Sequence, residues 1–123
     1  MNKKTLTTLL RSIADTLKPF ASVHTSSSLS WDGNAYVKND KPSFDTGAMT
    51  WHAMLTAIAQ LIETQDHDPN EAQKKYLKTL LLGGMGSFHD FFLSPKYAGD
   101  TTSEVNKRLD QIRSELFELF KND

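Results

Sequence analysis

The chain contains no cysteine among its 123 residues. That excludes disulfides, thiolate nucleophiles and thiolate metal sites, and it fits a reducing compartment. Long apolar runs are missing as well. No segment approaches the ~18 apolar residues that span a bilayer, so a membrane is not expected among the partners. The basic start Met1-Asn2-Lys3-Lys4 is followed by an apolar stretch that Arg11 and Asp15 break, with no small-residue cleavage site after it. It reads as a helix rather than an export signal, and the expected location is the cytoplasm. Excess charge of one sign is also absent: 14 basic against 15 acidic residues leave a net charge of −1, which gives no bulk attraction to nucleic acid.

What remains is enough for one domain, residues 1–123. Hydrophobic residues at 38% and charged residues at 24% lie outside the disordered range, and the length supports one core without metal or disulfide staples. Four segments carry helical periodicity. The first places Leu6, Leu9, Leu10, Ile13 and Leu17 on one stripe and is expected to stop before Pro19. The second runs from about Gly47 to Thr64 with Trp51, Met54, Leu55, Ile58, Leu61 and Ile62 on its stripe, and Asp45 or Thr46 as cap. The third opens on Asp68-Pro69-Asn70-Glu71, read as an acidic cap, a first-turn proline and a capping-box glutamate. Its stripe is Ala72, Tyr76, Leu77, Leu80 and Leu81, with Gly83 as a left-handed stop. The fourth starts near Thr101-Thr102-Ser103-Glu104 and repeats Val105, Leu109, Ile112, Leu116, Leu119 and Phe120 to the end.

Between the first two helices, Phe20 to Thr46 is polar but dotted with aromatics, too long for a structureless loop in a compact domain. Asp32-Gly33 between Trp31 and Tyr36 is a hairpin-type turn signal. The expected fold is therefore all-α: a bundle of about four helices, with a long ordered loop, including a short hairpin, between the first two.

The densest signal is Gly83-Gly84-Met85-Gly86-Ser87-Phe88-His89-Asp90, which holds three of the six glycines. A phosphate cradle would need GxxxxGK[ST] after a strand; here the run follows a helix and lacks the lysine, and GxGxxG does not fit either. The structural reading is stronger. Gly83 or Gly84 supplies a positive φ, and Ser87 or Asp90 caps a short turn that carries Phe88, Phe91 and Phe92 into the core. His24, His52, His67 and His89 show no metal-ligand spacing, and no nucleophile elbow or SxxK motif occurs, so no catalytic residue, metal or cofactor is assigned.

Charge has some local shape. Glu63, Asp66, Asp68 and Glu71 fall at the junction of the second and third helices without an intervening cation. Two of them sit at a helix C-terminus, where the dipole disfavours acids, which hints at a basic partner. Lys74, Lys75 and Lys78 form a basic patch too small to imply nucleic acid.

The Gly83–Asp90 run resembles the GGMGSFND-like signature of a family of small bacterial helical proteins. The likeness continues through Phe91-Phe92-Leu93 and a last helix with Asn106, Leu109, Ile112, Arg113, Leu116 and Leu119. His89 stands where that signature has asparagine, and the Phe20 to Thr46 stretch is atypical. The resemblance implies an immunity-type protein that binds and occludes a cognate bacterial toxin without catalysis. Expected contacts are Glu63, Asp66, Asp68 and Glu71, with Trp31 and Tyr36 from the long loop. Two rival readings stand beside it. One is a small-ligand protein or enzyme built around Ser87, His89 and Asp90; the other is a homodimer formed through the last helix's apolar stripe.

Overall fold

The computed structural model describes residues 1–21, 24–31, 36–43 and 46–122, with only the backbone for 24–31, 36–43 and Thr46. The architecture is all-α in class: four long helices, with a two-stranded hairpin between the first two. Helix α1 spans Lys3–Ala21, α2 Thr46–Thr64, α3 Glu71–Leu82 and α5 Thr102–Lys121; α4, Pro95–Ala98, is a single turn. Three-residue 3-10 turns at Phe88–Asp90 and Gly99–Thr101 complete the C-terminal half.

α1 starts on Asn2, whose Oδ1 accepts from the amides of Lys4 at 2.7 Å and Thr5 at 3.3 Å. This is the usual way to satisfy helix-start donors that have no partner inside the helix. Contrary to the sequence expectation, α1 runs through Pro19. So close to the helix end, proline sacrifices one hydrogen bond, to the Asp15 carbonyl, and the turn that follows can still form. α1 is the central helix of the bundle: Leu6, Leu10, Ile13 and Leu17 are fully buried, and it packs most extensively on α2 and next on α5. His52 of α2 ties the pair together, since its Nδ1 lies 2.8 Å from the Ala14 carbonyl. A carbonyl only accepts, so Nδ1 carries the proton.

The hairpin pairs β1 (His24–Trp31) with β2 (Tyr36–Ser43) antiparallel, from His24 opposite Ser43 to Trp31 opposite Tyr36. It is longer than the short hairpin expected from the Asp-Gly signal. The turn itself, residues 32–35, lies outside the described residues, as does Asp45, one of the two caps expected for α2. Pro42 stands in β2, which is tolerable because both strands of a two-stranded sheet are edges.

The α3 start differs from the expected one. The cap is Asn70, not Asp68: Asn70 Oδ1 accepts from the Gln73 amide at 2.9 Å, while Gln73 Oε1 accepts from the Asn70 amide at 3.0 Å. The capping box is real but lies two residues further on, with Gln in the glutamate position and Pro69 buried ahead of it. α5 lacks its expected box altogether. Thr101 makes no cap bond, because a 3-10 turn runs directly into the helix and the hydroxyls of Thr101 and Thr102 turn back to the Ala98 and Gly99 carbonyls.

The stripes are mostly correct, with three exceptions. Leu61 and Tyr76, counted as core, are 69% and 62% exposed, and Ala72 is exposed as well. The core instead closes with Leu77 and Leu81 of α3, Phe88, Leu93, and Leu109, Ile112, Leu116 and Phe120 of α5.

The glycine assignments also change. Gly83 is extended (φ −68°, ψ −159°), not left-handed, and Gly84 has no positive φ; the left-handed glycine of the run is Gly86, at φ +87°. Gly83 is required for another reason. A Cβ there would lie 2.3 Å from the Thr79 carbonyl oxygen, to which the Gly83 amide donates at 3.1 Å. Nothing lies within 4 Å of a Cβ at Gly84. Urea unfolding of the three single alanine variants tests this. Gly83→Ala and Gly86→Ala should each cost about 1 kcal/mol or more, and Gly84→Ala should be neutral within about 0.5 kcal/mol.

Candidate functional site

The segment from Gly83 to Leu93 crosses from α3 to α4 with almost no regular structure, yet it is tightly held. Ser87 closes the glycine turn: its amide donates to the Gly84 carbonyl at 3.1 Å and its Oγ to the Gly83 carbonyl at 3.0 Å. Ser87 is therefore buried and committed to the backbone. Ser87, one of the two residues expected to cap the Phe88–Asp90 turn, stands at its N-cap position but makes no side-chain cap bond there.

Two side chains of α5, seven residues apart and so on one face, hold the rest of the segment from below. Asn106 brackets Leu93: its Oδ1 accepts from the Leu93 amide at 2.7 Å and its Nδ2 donates to the Leu93 carbonyl at 3.0 Å. Arg113 is buried, 8% exposed. Its guanidinium donates to the Phe88 carbonyl from Nε (3.3 Å) and Nη2 (3.2 Å), to the Phe91 carbonyl from Nη2, and to Asp110 Oδ1 from Nη1 at 2.7 Å. It also lies over the Phe88 ring, 4.5 Å from the centroid. A buried cation is tolerable only when its donors are filled and a counter-charge is near, and both conditions hold. Phe88 in turn meets Trp51 of α2 edge-on, centroids 5.5 Å apart, so the clamp reaches the bundle core.

The three aromatics after the glycines fare differently. Phe88 is fully buried, Phe91 is half-buried with its ring 6.2 Å from Phe88, and Phe92 is 70% exposed. The expectation that all three fill the core is corrected. Alternation is the reason: Phe91 and Leu93 bracket Phe92 in an extended stretch, and Leu93 takes the inward position. Met85, between Gly84 and Gly86, is 99% exposed.

Ser87, His89 and Asp90 do not converge on a reaction centre. Ser87 faces the glycine turn, whereas His89 and Asp90 are exposed and their side chains make no hydrogen bond among the described residues. His89 lines an open cleft of about 810 Å³ between α3 and α5, whose only buried polar group, Arg113, is already consumed. Among the described residues, no group of three or more His, Asp or Glu side chains is placed to hold a metal ion. Nor is any helix among them long and apolar enough to cross a membrane.

The acidic corner has internal partners. α2 runs antiparallel to α1, so the acids at the end of α2 lie beside the start of α1. Glu63 forms a two-pronged ion pair with Arg11 (2.6 and 2.8 Å), and Asp68 Oδ1 accepts from the Lys3 amide at 2.9 Å, at the electropositive end of α1. Glu71 pairs with Lys74 at 2.7 Å, while Lys3 Nζ donates to the Gln65 carbonyl at 2.6 Å. Gln65 and Gln73 exchange amide bonds of 2.9 and 3.3 Å across the turn. Only Asp66 is left without a hydrogen bond or ion pair among the described residues. Trp31 and Tyr36 are cross-strand neighbours at the hairpin end.

Comparison with protein-family models, with curated proteins and with solved structures finds no match.

Two measurements test this site. Arg113→Lys leaves one ammonium where three acceptors were bridged and should cost about 2–4 kcal/mol in urea unfolding. Asn106→Asp sets a carboxylate against the Leu93 carbonyl and should cost about 1–3 kcal/mol. The hydrogen bonds from Arg11 hold the Glu63 carboxyl below the usual carboxylate range. Its contribution is therefore complete above that range and lost as pH falls through the folded value. The urea midpoint of Glu63→Gln should accordingly drop less than the parent's between about pH 6 and about pH 3.

Proposed function

We propose that this protein is a protein-binding domain of the immunity type, one that neutralises a cognate toxin by covering its active cleft. The observation that carries the reading is the Gly83–Leu93 segment. Arg113, Asn106 and Ser87 fix its backbone, while Met85 and Phe92 stand in solvent. A loop already held in one shape loses little entropy on binding, and large apolar side chains on such a loop are what interface hot spots are made of. No group on the loop has the geometry of a nucleophile and its base, so the work it can do is contact rather than chemistry. The motif's likeness to immunity-type proteins points the same way.

Met85 and Phe92 therefore replace the acidic corner as the principal anchors, with Asp66, Trp31 and Tyr36 as peripheral contacts. Glu63, Asp68 and Glu71 hold the α1–α2–α3 corner together and contribute to binding through that shape. The partner is the toxin encoded next to this chain. Purified with it, the parent should form a complex and suppress its activity. Met85→Ser with Phe92→Ser should weaken the complex at least about tenfold without moving the unfolding midpoint, since both residues are exposed. Unchanged affinity in the double variant would remove these anchors. An adjacent toxin that the parent neither binds nor inhibits would remove the immunity reading itself.

A further inference from the structure

Four methionines carry all the sulfur of this chain, which has no cysteine. They are Met1, Met49, Met54 and Met85. A thioether is oxidised where an oxidant can reach its lone pairs, so exposure ranks the four. Met1, Met49 and Met54 are half-buried, and Met1 and Met54 pack against the bundle core. Met85 is 99% exposed. Glycines flank it, and a Cβ at Gly84 or at Gly86 would meet nothing within 4 Å, so the space on both sides is open. No thiol in the chain competes for the oxidant.

We propose that Met85 is an oxidation site: a peroxide converts it to the sulfoxide ahead of the other methionines, and the sulfoxide releases the partner held by the Gly83–Leu93 loop. A sulfur lone pair attacks one peroxide oxygen, and the S–O bond forms as the O–O bond breaks. The leaving hydroxide takes the proton of the transferred hydroxyl and departs as water. Sulfur loses two electrons and the peroxide gains them.

The fold does not register the change. The Met85 side chain stands in solvent, and the turn beneath it is set by other groups: the Ser87 amide and Oγ on the Gly84 and Gly83 carbonyls, and Gly86 at φ +87°. Binding does register it. A sulfoxide is polar and chiral, and its oxygen must keep a hydrogen bond, so covering it costs where covering the thioether gained. The release step rests on the reading of Met85 as an anchor; the order of oxidation does not.

Peptide mapping by mass spectrometry, through a time course in hydrogen peroxide at neutral pH, tests the site. Met85 should gain one oxygen first, as fast as methionine in a short unfolded peptide and at least about tenfold ahead of Met54. Equal rates at the two would overturn the proposal. Protein oxidised only at Met85 should keep the parent's urea midpoint. It should bind the cognate toxin at least about fivefold more weakly, and methionine sulfoxide reductase with a thiol should restore the affinity. Met85→Leu should show one affinity before and after peroxide, which separates Met85 from damage elsewhere. Unchanged affinity after Met85 oxidation, for a toxin that the untreated parent binds, would overturn the release step. An untreated parent that binds no toxin removes the immunity reading instead, and shows itself before any peroxide is added.

Discussion

The guanidinium of Arg113 sits where α5, the loop above it and the bundle core meet, and each depends on it. Its donors give the Phe91 carbonyl a partner and add to the bond that the Phe88 carbonyl accepts from the Phe91 amide, and its flat face covers the Phe88 ring. With Phe88 fixed, Trp51 of α2 has an edge-on neighbour, and the α3–α5 side of the molecule is joined to the α1–α2 side. Lysine cannot do this, because a single ammonium lacks both the planar fork and the stacking face. Asn106 extends the same principle one segment further, acting on Leu93 as a neighbouring strand would. An irregular loop thereby gains the rigidity of a regular element while its outer side chains remain free.

A comparable economy holds at the opposite end of the bundle. Acids at the C-terminal end of α2 are disfavoured by that helix's own dipole. Beside the antiparallel start of α1 they are well placed: Asp68 accepts from the first amide of α1, and Glu63 pairs with Arg11 one face over. These pairs are exposed and individually weak. Their combined effect, with the Gln65–Gln73 exchange, is to fix the angle at which α3 leaves α2.

The helices were legible in the sequence because periodicity reports burial directly, and all four long ones lie close to where their stripes put them. Boundaries were less so. Asn70 rather than Asp68 caps α3: two overlapping cap patterns occur within three residues, and only the reciprocal bonds between Asn70 and Gln73 distinguish them. Leu61 and Tyr76 fit a helical stripe but line an open groove between α2 and α3, and periodicity cannot tell a core position from one at the edge of it. The role of the glycine run as a structural turn was readable; which glycine needs which conformation was not, since Gly83 is dictated by the Thr79 carbonyl of the preceding turn. The candidate site was the least legible part. Met85 and Phe92 carry no signal of exposure in their own residues, and the clamp that holds their loop acts from Asn106 and Arg113, side chain to backbone, across 13 to 25 residues of sequence. A single trace existed, the seven-residue spacing of two polar groups on an otherwise apolar face of α5.

The central claim is that the Phe88–Leu93 backbone is rigid because α5 holds it. Amide hydrogen exchange at Leu93 tests that most directly, since this amide lies outside every helix and its only acceptor among the described residues is Asn106 Oδ1. The account predicts that Leu93 exchanges as slowly as the amides of α5, and that Asn106→Ala releases it while α5 stays protected. Exchange at the rate of an open loop in the parent protein would contradict it.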